Sequence, residues 1–259
     1  MINPLKQFLV EKTKFYKLGK AIDSDVYFNK TKELSQLEIL KAPRRTEIIN
    51  YFIGFVDAQR YLEIGVRNPE KNFNRLQCPI KFSVDPGVEF EENPVDFKMT
   101  SDLFFEKLAK NELEINPQEK FDVIFIDGLH LANQVEKDIS NSLEYLSEKG
   151  VIILHDCNPP TEYHQRETYG FMWSPARSFW NGTTWKAYYK VRHQRDLFTI
   201  CFDCDWGVAV LSKHPYPFFN QIQDGIQNEF YEFSILNKFR EEHLNLSSFD
   251  TWVESTKLK

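Results

Sequence analysis

Ten residues, Phe121-Asp-Val-Ile-Phe-Ile-Asp127-Gly-Leu-His130, predict a buried strand that ends in polar residues. The run before Asp127 is apolar except for Asp122, which is too continuous for a strand with one face in water. A strand covered on both faces is typical of a parallel sheet in an α/β domain. Ligands bind just beyond the carboxyl ends of such strands, so Asp127 and His130 are the first candidates for chemistry.

A second strand of the same kind follows at Val151-Ile-Ile-Leu154, and it ends in His155-Asp156-Cys157-Asn158. Between the two strands, residues 133–147 carry apolar side chains at helical spacing, and Gly150 is predicted to stop that helix. Strand, helix and strand form a right-handed crossover, which brings both strand ends to one edge of the sheet. Asp127 and Asp156 are therefore expected to lie close together.

The composition is typical of one large domain with appendages. The chain has 259 residues, of which 42% are hydrophobic, and a formal net charge of -6. This acidic balance argues against a nucleic-acid partner, which would need a basic surface. No apolar run approaches the roughly 20 residues of a membrane span. Four cysteines in a chain of this length, without a signal-peptide pattern, favour a cytoplasmic location.

Further strands are predicted on both sides of this unit. Residues 61–66 and 81–87 precede it, and residues 97–102 are a short candidate for a third strand. After it, residues 197–202 and 208–211 are joined so tightly that they must be antiparallel. The expected fold is α/β, a Rossmann-like doubly wound seven-stranded sheet. It has five parallel strands, a terminal antiparallel hairpin, and N- and C-terminal helical appendages.

Acidic residues also follow the earlier predicted strands. Glu63 and Gly65 lie at the end of the first strand, and Asp85 ends the second, 20 residues after Gly65. At that spacing a carboxylate meets the ribose hydroxyls of a bound nucleotide in α/β folds. Asp102 follows the candidate third strand, where it either caps the next helix or contacts a ligand.

A long segment after Asp156 breaks the α/β pattern. Residues 157–180 are rich in proline, aromatic residues and turn formers, and a loop of this length at a strand end is usually functional. Its aromatic residues either stack on a sugar ring or pack in the core or a lid; they are Tyr163, Tyr169, Phe171, Trp173 and Trp180.

In these motifs the chain resembles the class I S-adenosylmethionine-dependent methyltransferases. The motifs are Leu62-Glu63-Ile-Gly65, Val84-Asp85-Pro, Phe125-Ile-Asp127-Gly and His155-Asp156, together with the terminal hairpin. A narrower resemblance is to the methyltransferase-24 branch, which includes bacterial enzymes that modify surface glycans and antibiotic sugars. It is carried by Ile126-Asp-Gly-Leu-His130, Asp138 and Gly150-Val-Ile-Ile-Leu-His-Asp156. Asn181-Gly-Thr-Thr-Trp185 and Asp205-Trp-Gly207 look like glycan-locus members of that branch.

The resemblance implies three regions. Residues 1–43 would form an N-terminal helical appendage or lid. Residues 44–215 would form the S-adenosylmethionine-binding domain, with Thr46 as the predicted N-cap of the helix that leads into the sheet. Residues 216–259 would form a C-terminal helical extension that packs on the same domain.

The resemblance also implies a cofactor site, formed by Glu63, Gly65, Asp85, Ser101, Asp102 and Asp127. Glu63 and Gly65 would lie beneath the amino acid part of S-adenosylmethionine, and Asp85 would bind its ribose. Ser101 and Asp102 would meet the adenine, and Asp127 the methionine portion or the acceptor. The usual second glycine after Gly65 is missing.

Methyl transfer to a hydroxyl needs an aligned acceptor oxygen and a group that takes its proton. Imidazoles titrate near neutral pH, so His130, His155 and His164 are the candidate bases. His130 ranks first because it lies just beyond Asp127. The predicted catalytic residues are His130, Asp127 and His155. A purely structural role for His130 in its loop remains open.

A divalent cation is the alternative source of activation. Asp127, Asp156 and Asn158 form an all-oxygen set that suits Mg²⁺ or another hard divalent ion. Catechol-type and macrolide-sugar methyltransferases are similar in placing a metal at these strand ends. Their third ligand usually follows the second aspartate directly, where this chain has Cys157. Whether Asp156 binds a metal or only braces the loop is open at this stage.

The predicted function is O-methylation of a small-molecule acceptor in polysaccharide or capsule biosynthesis. The acceptor would be a sugar, a nucleotide sugar or a glycan substituent, and a homo-oligomer is compatible with the sequence. The alternative is a non-catalytic or degenerate methyltransferase-fold binding protein, which the missing glycine and Cys157 favour. A nicotinamide-dependent oxidoreductase is disfavoured because the first strand is not followed by GxGxxG.

Overall fold

The computed structural model describes residues 4–90, 92–170, 174–222 and 227–257, which form a mixed sheet flanked by helices. The strands are β1 (Arg60–Ile64), β2 (Ile80–Val84), β3 (Phe121–Ile126), β4 (Leu146–Leu154), β5 (Phe198–Phe202), β6 (Val208–Ser212) and β7 (Leu246–Ser247). The α-helices are α1 (Pro4–Asp23), α2 (Val26–Leu40), α3 (Arg45–Phe55), α4 (Ser101–Ala109), α5 (Ala132–Tyr145), α6 (Thr184–Val191), α7 (Phe233–Lys238), α8 (Arg240–Leu244) and α9 (Phe249–Lys257).

The strands run in the order β2-β1-β3-β4-β6-β5-β7. β1 to β4 are parallel, with Ile64 beside both Val84 and Ile126, and Ile126 beside Leu154. β5 and β6 form the predicted antiparallel hairpin, and β6 pairs antiparallel with β4. The predicted Rossmann-like fold is therefore confirmed. Because the strand ends are in register, the residues that follow them meet at one edge of the sheet.

The sheet differs from the prediction at both of its edges. Residues 97–102 form no strand, and Phe97 makes only an isolated bridge to Val84, so the predicted block of five parallel strands has four members, β1 to β4. The Asp96 carboxylate accepts hydrogen bonds from Ser83 N and Ser83 Oγ. A side chain thus pairs with the backbone N–H of β2 that a neighbouring strand would otherwise bind. At the opposite edge β7 pairs with β5, where only helices were predicted. The total of seven strands holds because β7 compensates for the missing third strand.

Gly150 does not end the helix before it, contrary to the prediction. α5 already stops at Tyr145, and Gly150 lies inside β4, which begins at Leu146. A Cβ atom at Gly150 would come within 2.9 Å of the carbonyl oxygen of Asp122 in the neighbouring strand. The residue is therefore a glycine because two strands approach each other closely there.

Two predicted helix starts also change. α3 begins at Arg45 with Arg44 as its N-cap, so Thr46 is not the capping residue. α4 is capped by Thr100, whose side-chain oxygen accepts a hydrogen bond from Leu103 N at 3.3 Å. Asp102 lies in the first turn of α4, where its charge favours the helix N-terminus without capping it.

Apolar clusters cover both faces of the sheet. Leu62, Ile124 and Ile152 pack on one side, and Val123 and Ile153 pack on the other. The second cluster includes a residue from the C-terminal region, Trp252 of α9, which is fully buried. Burial of a tryptophan at such a position is worth roughly 3–5 kcal/mol relative to alanine. The C-terminal region therefore shares the core of the sheet, while the domain boundaries at residues 43 and 215 stay predictions.

The two N-terminal helices differ in their contacts. α2 buries Thr31, Ser35 and Glu38, and Glu38 Oε1 accepts a hydrogen bond from Trp206 N at 3.0 Å. Every α1 side chain that the structure describes is exposed. Among the described helices, none has the length and apolar character needed to cross a membrane.

Candidate active site

The ends of β3 and β4 bring together the predicted aspartates and histidines. Asp127 follows β3 directly, and His155 and Asp156 follow β4. The ladder continues past the strands, because His155 N donates to Ile126 O at 3.2 Å. Asp156 has a φ of 62°, which is uncommon for a residue other than glycine. Its carboxylate Oδ2 lies 3.2 Å from His130 Nδ1.

His155 lies between three carboxylates. Its Nδ1 is 3.1 Å from Asp127 Oδ1 and 3.2 Å from Asp156 Oδ2, and its Nε2 is 3.5 Å from Asp205 Oδ2. Burial lowers the pKa of His155, but the charges of Asp156 and Asp127 outweigh burial and raise the pKa well above its ordinary value. A histidine that holds its proton this firmly is poorly suited to accept another, which favours His130 over His155 as a base.

Positively charged neighbours lower the pKa of Asp127. Burial raises the pKa of Asp127, but the positive charges of His155 and Arg45 hold the pKa well below its ordinary value. Arg45 Nε lies 3.6 Å from Asp127 Oδ2. The carboxylate is therefore ionised at neutral pH and able to bind a cation or to orient a histidine.

Arg45 and Asp205 belong to this cluster but were not predicted as site residues. Arg45 begins α3, and its backbone N donates to Asp205 Oδ2 at 2.8 Å. Arg44 Nη1 donates to Asp205 Oδ1, also at 2.8 Å. The available sequence signals were the Arg44-Arg45 pair and the turn that Asp205 begins. Neither signal indicates proximity, because the two segments lie 160 residues apart.

His130 has one side-chain nitrogen without a hydrogen bond. Its Nε2 lies 3.3 Å from Asp127 Oδ1, whereas its buried Nδ1 makes no hydrogen bond to any residue that the structure describes, although Asp156 Oδ2 lies 3.2 Å away. Burial lowers the pKa of His130, but the charges of Asp156 and Asp127 outweigh it and raise the pKa. Trp180 stacks on the imidazole, with ring centroids 4.9 Å apart and 16° between the planes.

These residues could hold a metal ion. One ligand atom each from Asp127, His130 and Asp156 lie within 4.8 Å of one another. The unsatisfied His130 Nδ1 beside carboxylates fits a cation, because buried polar atoms normally have a partner. A set of two carboxylates and one imidazole suits Mn²⁺ and other first-row ions as well as Mg²⁺.

The structure does not bring Asn158, the third predicted ligand, to this group. Asn158 Nδ2 donates to Asp203 Oδ1 at 2.9 Å, and its Oδ1 accepts from Arg240. The adjacent Cys157 is fully buried, and burial raises the pKa of its thiol well above the ordinary value. A neutral buried thiol is a poor ligand for a hard cation, so His130 is the third residue that the structure offers.

His164, the remaining candidate base, is held by hydroxyl groups. Its Nε2 lies 3.0 Å from Ser35 Oγ in α2, and its Nδ1 lies 2.9 Å from Thr161 Oγ1. Burial and the charge of Arg166 lower the pKa of His164 to about 4. The residue is therefore neutral at physiological pH and links α2 to the loop after β4.

At the end of β1, Gly65 and Glu63 have structural partners. Gly65 has a φ of +91°, and a Cβ atom there would lie 2.3 Å from the carbonyl oxygen of Asp127. Glycine is thus required for contact between the ends of β1 and β3. Glu63 accepts from Tyr61 Oη at 2.7 Å and from Asn72 Nδ2 at 3.0 Å, and burial raises its pKa to about 7.

Two carboxylates that were predicted to bind the cofactor lie near the ends of β1 and β2. Asp85 is half-buried beyond Val84, and its Oδ1 accepts from Gly87 N at 2.6 Å. Burial raises the pKa of Asp85. Since Ile64 pairs with Val84, Glu63 and Asp85 belong to adjacent strand ends. Their roles in binding the cofactor stay predictions.

Ser101 and Asp102, the residues predicted to meet the adenine, are paired with α5. Gln134 Nε2 donates to Ser101 Oγ at 3.3 Å and to Asp102 Oδ1 at 2.8 Å. Lys137 Nζ lies 3.3 Å from Asp102 Oδ2. A buried carboxyl group that was not predicted as a site residue, Asp138, contacts the same glutamine at 3.1 Å, and burial raises its pKa to about 6. The role of Ser101 and Asp102 in adenine binding stays a prediction.

The aromatic loop after β4 is held together by Arg166. Its guanidinium donates to the backbone carbonyl oxygens of Tyr163, Thr168, Tyr169, Arg177 and Phe179. In return, Trp180 Nε1 donates to Arg166 O at 2.6 Å, which fixes the indole that stacks on His130. Phe171 and Trp173, two of the aromatic residues singled out in the sequence, lie outside the described residues.

Residues 72–157 match the methyltransferase-24 family model, which is described as "Methyltransferase domain". No match to the sequence is found among curated proteins. The matched segment contains β2, β3, α5 and β4, and it includes all three residues of the possible metal group.

Several solved methyltransferases are similar to the chain in structure. TomG, an O-methyltransferase of Streptomyces achromogenes involved in tomaymycin synthesis and in complex with SAM, is 12% identical. The match covers 73% of this chain and 90% of TomG, with a TM-score of 0.43. An O-methyltransferase of Bacillus cereus in complex with SAH is 14% identical over 71% of this chain and 90% of its own, with a TM-score of 0.42. A SAH-bound methyltransferase of Podospora anserina is 13% identical over 83% and 99%, with a TM-score of 0.43.

The family match and the sheet agree with each other. The matched residues span the parallel strands whose ends carry Asp127 and Asp156, and the antiparallel hairpin follows them. The match over residues 72–157 thereby supports the sequence-based assignment to the methyltransferases, and the sheet confirms the predicted fold. Residues 72–157 of this chain match a methyltransferase domain, and they lie within a sheet of the Rossmann-like type.

Proposed function

We propose that this O-methyltransferase acts on a hydroxyl group of a sugar or of a surface-glycan substituent, with help from a divalent cation. The observation that carries the proposal is the group of Asp127, His130 and Asp156, whose ligand atoms lie within 4.8 Å of one another. The buried His130 Nδ1, which has no hydrogen-bond partner among the described residues, offers this group a nitrogen ligand. A sugar hydroxyl is a weak nucleophile and needs such activation.

S-adenosylmethionine, when bound, supplies an electrophilic methyl group, and the acceptor oxygen displaces the sulfur that carries it. The residues of this chain would then bind and orient. Asp85 would accept hydrogen bonds from the ribose, and Glu63 from the amino group. Glu63 has a pKa of about 7, so a positively charged partner would favour its ionised form.

The cluster at the ends of β3 and β4 would lower the pKa of the acceptor hydroxyl through the ion that it holds. Asp127 and Asp156 contribute carboxylate oxygens and His130 contributes an imidazole nitrogen. Arg45 and His155 keep Asp127 ionised. Without a metal, His130 itself would take the proton, and Asp127 Oδ1, which lies 3.3 Å from its Nε2, would orient the ring. The two modes differ in whether a chelator removes activity.

The acceptor class is supported by the segment that resembles glycan-locus methyltransferases, because this segment packs on His130. Gly182 has a φ of +58°, and a Cβ atom there would lie 2.0 Å from His130 O. Thr183 N donates to the same oxygen at 2.7 Å. Trp180 directly precedes this segment, Tyr169 packs against Trp180 with ring centroids 5.5 Å apart, and aromatic rings of this kind can stack on a sugar ring.

The test has two stages. In the first, S-adenosylhomocysteine is titrated calorimetrically into the purified protein treated with EDTA, and then into protein with Mg²⁺ or Mn²⁺ restored. We expect binding in both conditions, because the ion would mainly contact the acceptor. If neither condition gives binding, the enzyme proposal fails and the non-catalytic binding protein takes its place.

In the second stage, nucleotide sugars and free sugars are incubated with S-adenosylmethionine, and the gain of one methyl group is followed by mass spectrometry. We expect transfer that EDTA abolishes and Mn²⁺ or Mg²⁺ restores. Asp156→Asn should lose this restoration, whereas the exposed Asp250→Asn is the matched control and should keep it. Methyl transfer that EDTA leaves intact would contradict the proposed role of the metal and leave His130 as the base. Methylation of phenolic acceptors alone would contradict the proposed sugar acceptor.

A further inference from the structure

The N-terminal helix α1 exposes large apolar side chains along its length. Phe8 is 52% exposed, Phe15 73%, Tyr16 70% and Leu18 58%. Lone exposed apolar residues are ordinary, but a helix that exposes this many has an unpartnered face. Because most of the stability of helices in proteins comes from the packing of one face, a partner that covers this face would stabilise α1.

Four exposed apolar residues of α1 share one side of the helix, whereas Leu9, Val10 and Tyr16 lie away from that side. Phe8, Phe15 and Ile22 are seven positions apart, which places them in one row, and Leu18 lies one turn from Phe15. Lys17 and nearby Lys20 lie on the opposite side. Lys12 is on the apolar side, with its Nζ 4.6 Å from the centre of the Phe8 ring. A lysine in that position can extend its amino group back to a polar boundary.

The charge of α1 is opposite to that of the rest of the chain. The helix contains five lysines and two acidic residues, Glu11 and Asp23, for a net charge of +3. The whole chain has a net charge of -6, so the remaining residues carry -9, which is -6 minus +3. Two copies of α1 packed together would repel each other. An extended negative surface would attract the helix and repel the rest of the protein.

The helix is attached to the domain through α2. The turn between the helices is fixed by Asp25, whose Oδ1 accepts from Phe28 N at 2.7 Å. α2 is bound to the loops beyond β4 and β5 through Ser35 and Glu38, at 3.0 Å from His164 Nε2 and from Trp206 N respectively. The α1 side chains that the structure describes are all exposed, so its apolar face is free to lie on a flat surface.

We propose that α1 binds the surface of a membrane that contains anionic lipids, lying in the plane of the interface. The row of Phe8, Phe15 and Ile22, with Leu18, would enter the boundary between headgroups and acyl chains. Lys17 and Lys20 would remain at the level of the lipid phosphates. A basic amphipathic helix with aromatic residues on its apolar face is the kind of segment that binds this way. This inference is independent of the acceptor and of the metal.

The test is sedimentation of the full-length protein with vesicles of phosphatidylcholine mixed with phosphatidylglycerol, and with vesicles of phosphatidylcholine alone. From a net charge of +3, we expect binding to the anionic vesicles to be on the order of tenfold to a hundredfold tighter. Added salt should reduce that preference. Absence of binding to both vesicles, or equal binding to both, would overturn the proposal.

Paired variants distinguish vesicle binding through α1 from nonspecific binding through other exposed apolar side chains. Phe8→Ser combined with Phe15→Ser should abolish vesicle binding. The matched control is Phe218→Ser combined with Phe230→Ser, which also removes two exposed phenylalanines, and it should bind like the wild type. The melting temperature should be unchanged in the α1 variant, because these side chains contact no core. If that variant instead dissolves a dimer seen by sedimentation equilibrium, a second copy covers α1 and the lipid proposal is overturned.

Discussion

His155 and His164 are buried histidines on either side of the same strand-end loop, and their pKa values shift in opposite directions. His155 lies within 3.5 Å of carboxylate oxygens from Asp127, Asp156 and Asp205, and its pKa is raised. His164 lies between two hydroxyl groups, and its pKa is lowered to about 4. Burial acts alike on both, because it lowers the pKa of each. The charge of the neighbours therefore decides which imidazole is held protonated.

The two sites accordingly make opposite contributions to stability as pH changes. The pKa of His164 in the folded protein lies below the ordinary value of 6.5, so the unfolded chain binds more protons between pH 4 and 6.5. The stabilisation that His164 contributes is fully present above pH 6.5 and is lost as the pH falls from 6.5 to about 4. The raised pKa of His155 has the reverse effect, because its contribution is complete below pH 6.5 and is lost as pH rises through the folded pKa.

The largest effect is expected from Asp127→Asn. The substitution removes a carboxylate that faces His155 and Arg45, which leaves buried positive charge with fewer partners. The free energy of unfolding at pH 7 should fall by about 3 kcal/mol, as measured by urea denaturation. If the metal proposal is right, Mn²⁺ affinity should also fall by roughly a hundredfold.

The exposed Asp196→Asn is the matched control, because it removes the same charge without touching the cluster. Its unfolding free energy should stay within about 0.5 kcal/mol of the wild type. If both variants are equally stable, the cluster does not depend on charge compensation, and the contrast with His164 loses its basis.

A smaller, pH-dependent effect is expected from His164→Gln. Glutamine can still donate to Ser35 and accept from Thr161, but it cannot be protonated in this pH range. Between pH 6.5 and 4.5 the wild type should lose about 2 kcal/mol more unfolding free energy than the variant. Urea denaturation at several pH values measures this difference. Parallel curves for the two proteins would mean that His164 is not held neutral by its surroundings.

Most of the sheet could be predicted because parallel strands leave long apolar runs in the sequence. β3 and β4 have that signature, and the tight connection between β5 and β6 fixed their antiparallel pairing. β7 has only two residues, and Phe97 makes a single bridge, so neither produces a hydrophobic period. Short pairings depend on tertiary contacts such as the one between Asp96 and Ser83.

The centre of the site could be predicted for the same reason. Asp127 and Asp156 follow neighbouring parallel strands, so their proximity follows from topology alone. Arg45 and Asp205 reach the cluster through the start of a helix and the turn of a hairpin, which leave no spacing rule in the sequence. Asn158 is directed elsewhere because its backbone N pairs with Trp206 O, beside Gly207. A Cβ atom at that glycine would lie 2.2 Å from Asn158 N.

The pKa values of two carboxyl groups of the site, Glu63 and Asp127, also shift in opposite directions, and Glu63→Gln tests the effect on stability. Glu63 is as buried as the cluster, but its pKa is raised to about 7, whereas that of Asp127 is lowered. Between pH 4.5 and 7 the folded protein keeps a proton on Glu63 that the unfolded chain has lost, so stability from this site falls as pH rises. At pH 8, Glu63→Gln should therefore be about 1–2 kcal/mol more stable than the wild type. The gain should vanish near pH 4.5, and an equal change at both pH values would indicate a packing effect instead.

The smallest effect is expected at Trp180, which tests whether ring stacking, rather than charge, sets the position of His130. Trp180→Leu removes the stacked ring, whereas Trp180→Phe keeps a ring but loses the hydrogen bond to Arg166 O. Loss of an aromatic pair costs about 1 kcal/mol, so both variants should remain folded. If stacking orients His130 as a ligand, Mn²⁺ affinity should fall roughly threefold to tenfold in the leucine variant and stay near the wild-type value in the phenylalanine variant. Equal loss in both would assign the effect to the hydrogen bond with Arg166. No loss in either would mean that the charges of Asp127 and Asp156 are sufficient to hold His130 in place, as they are for His155.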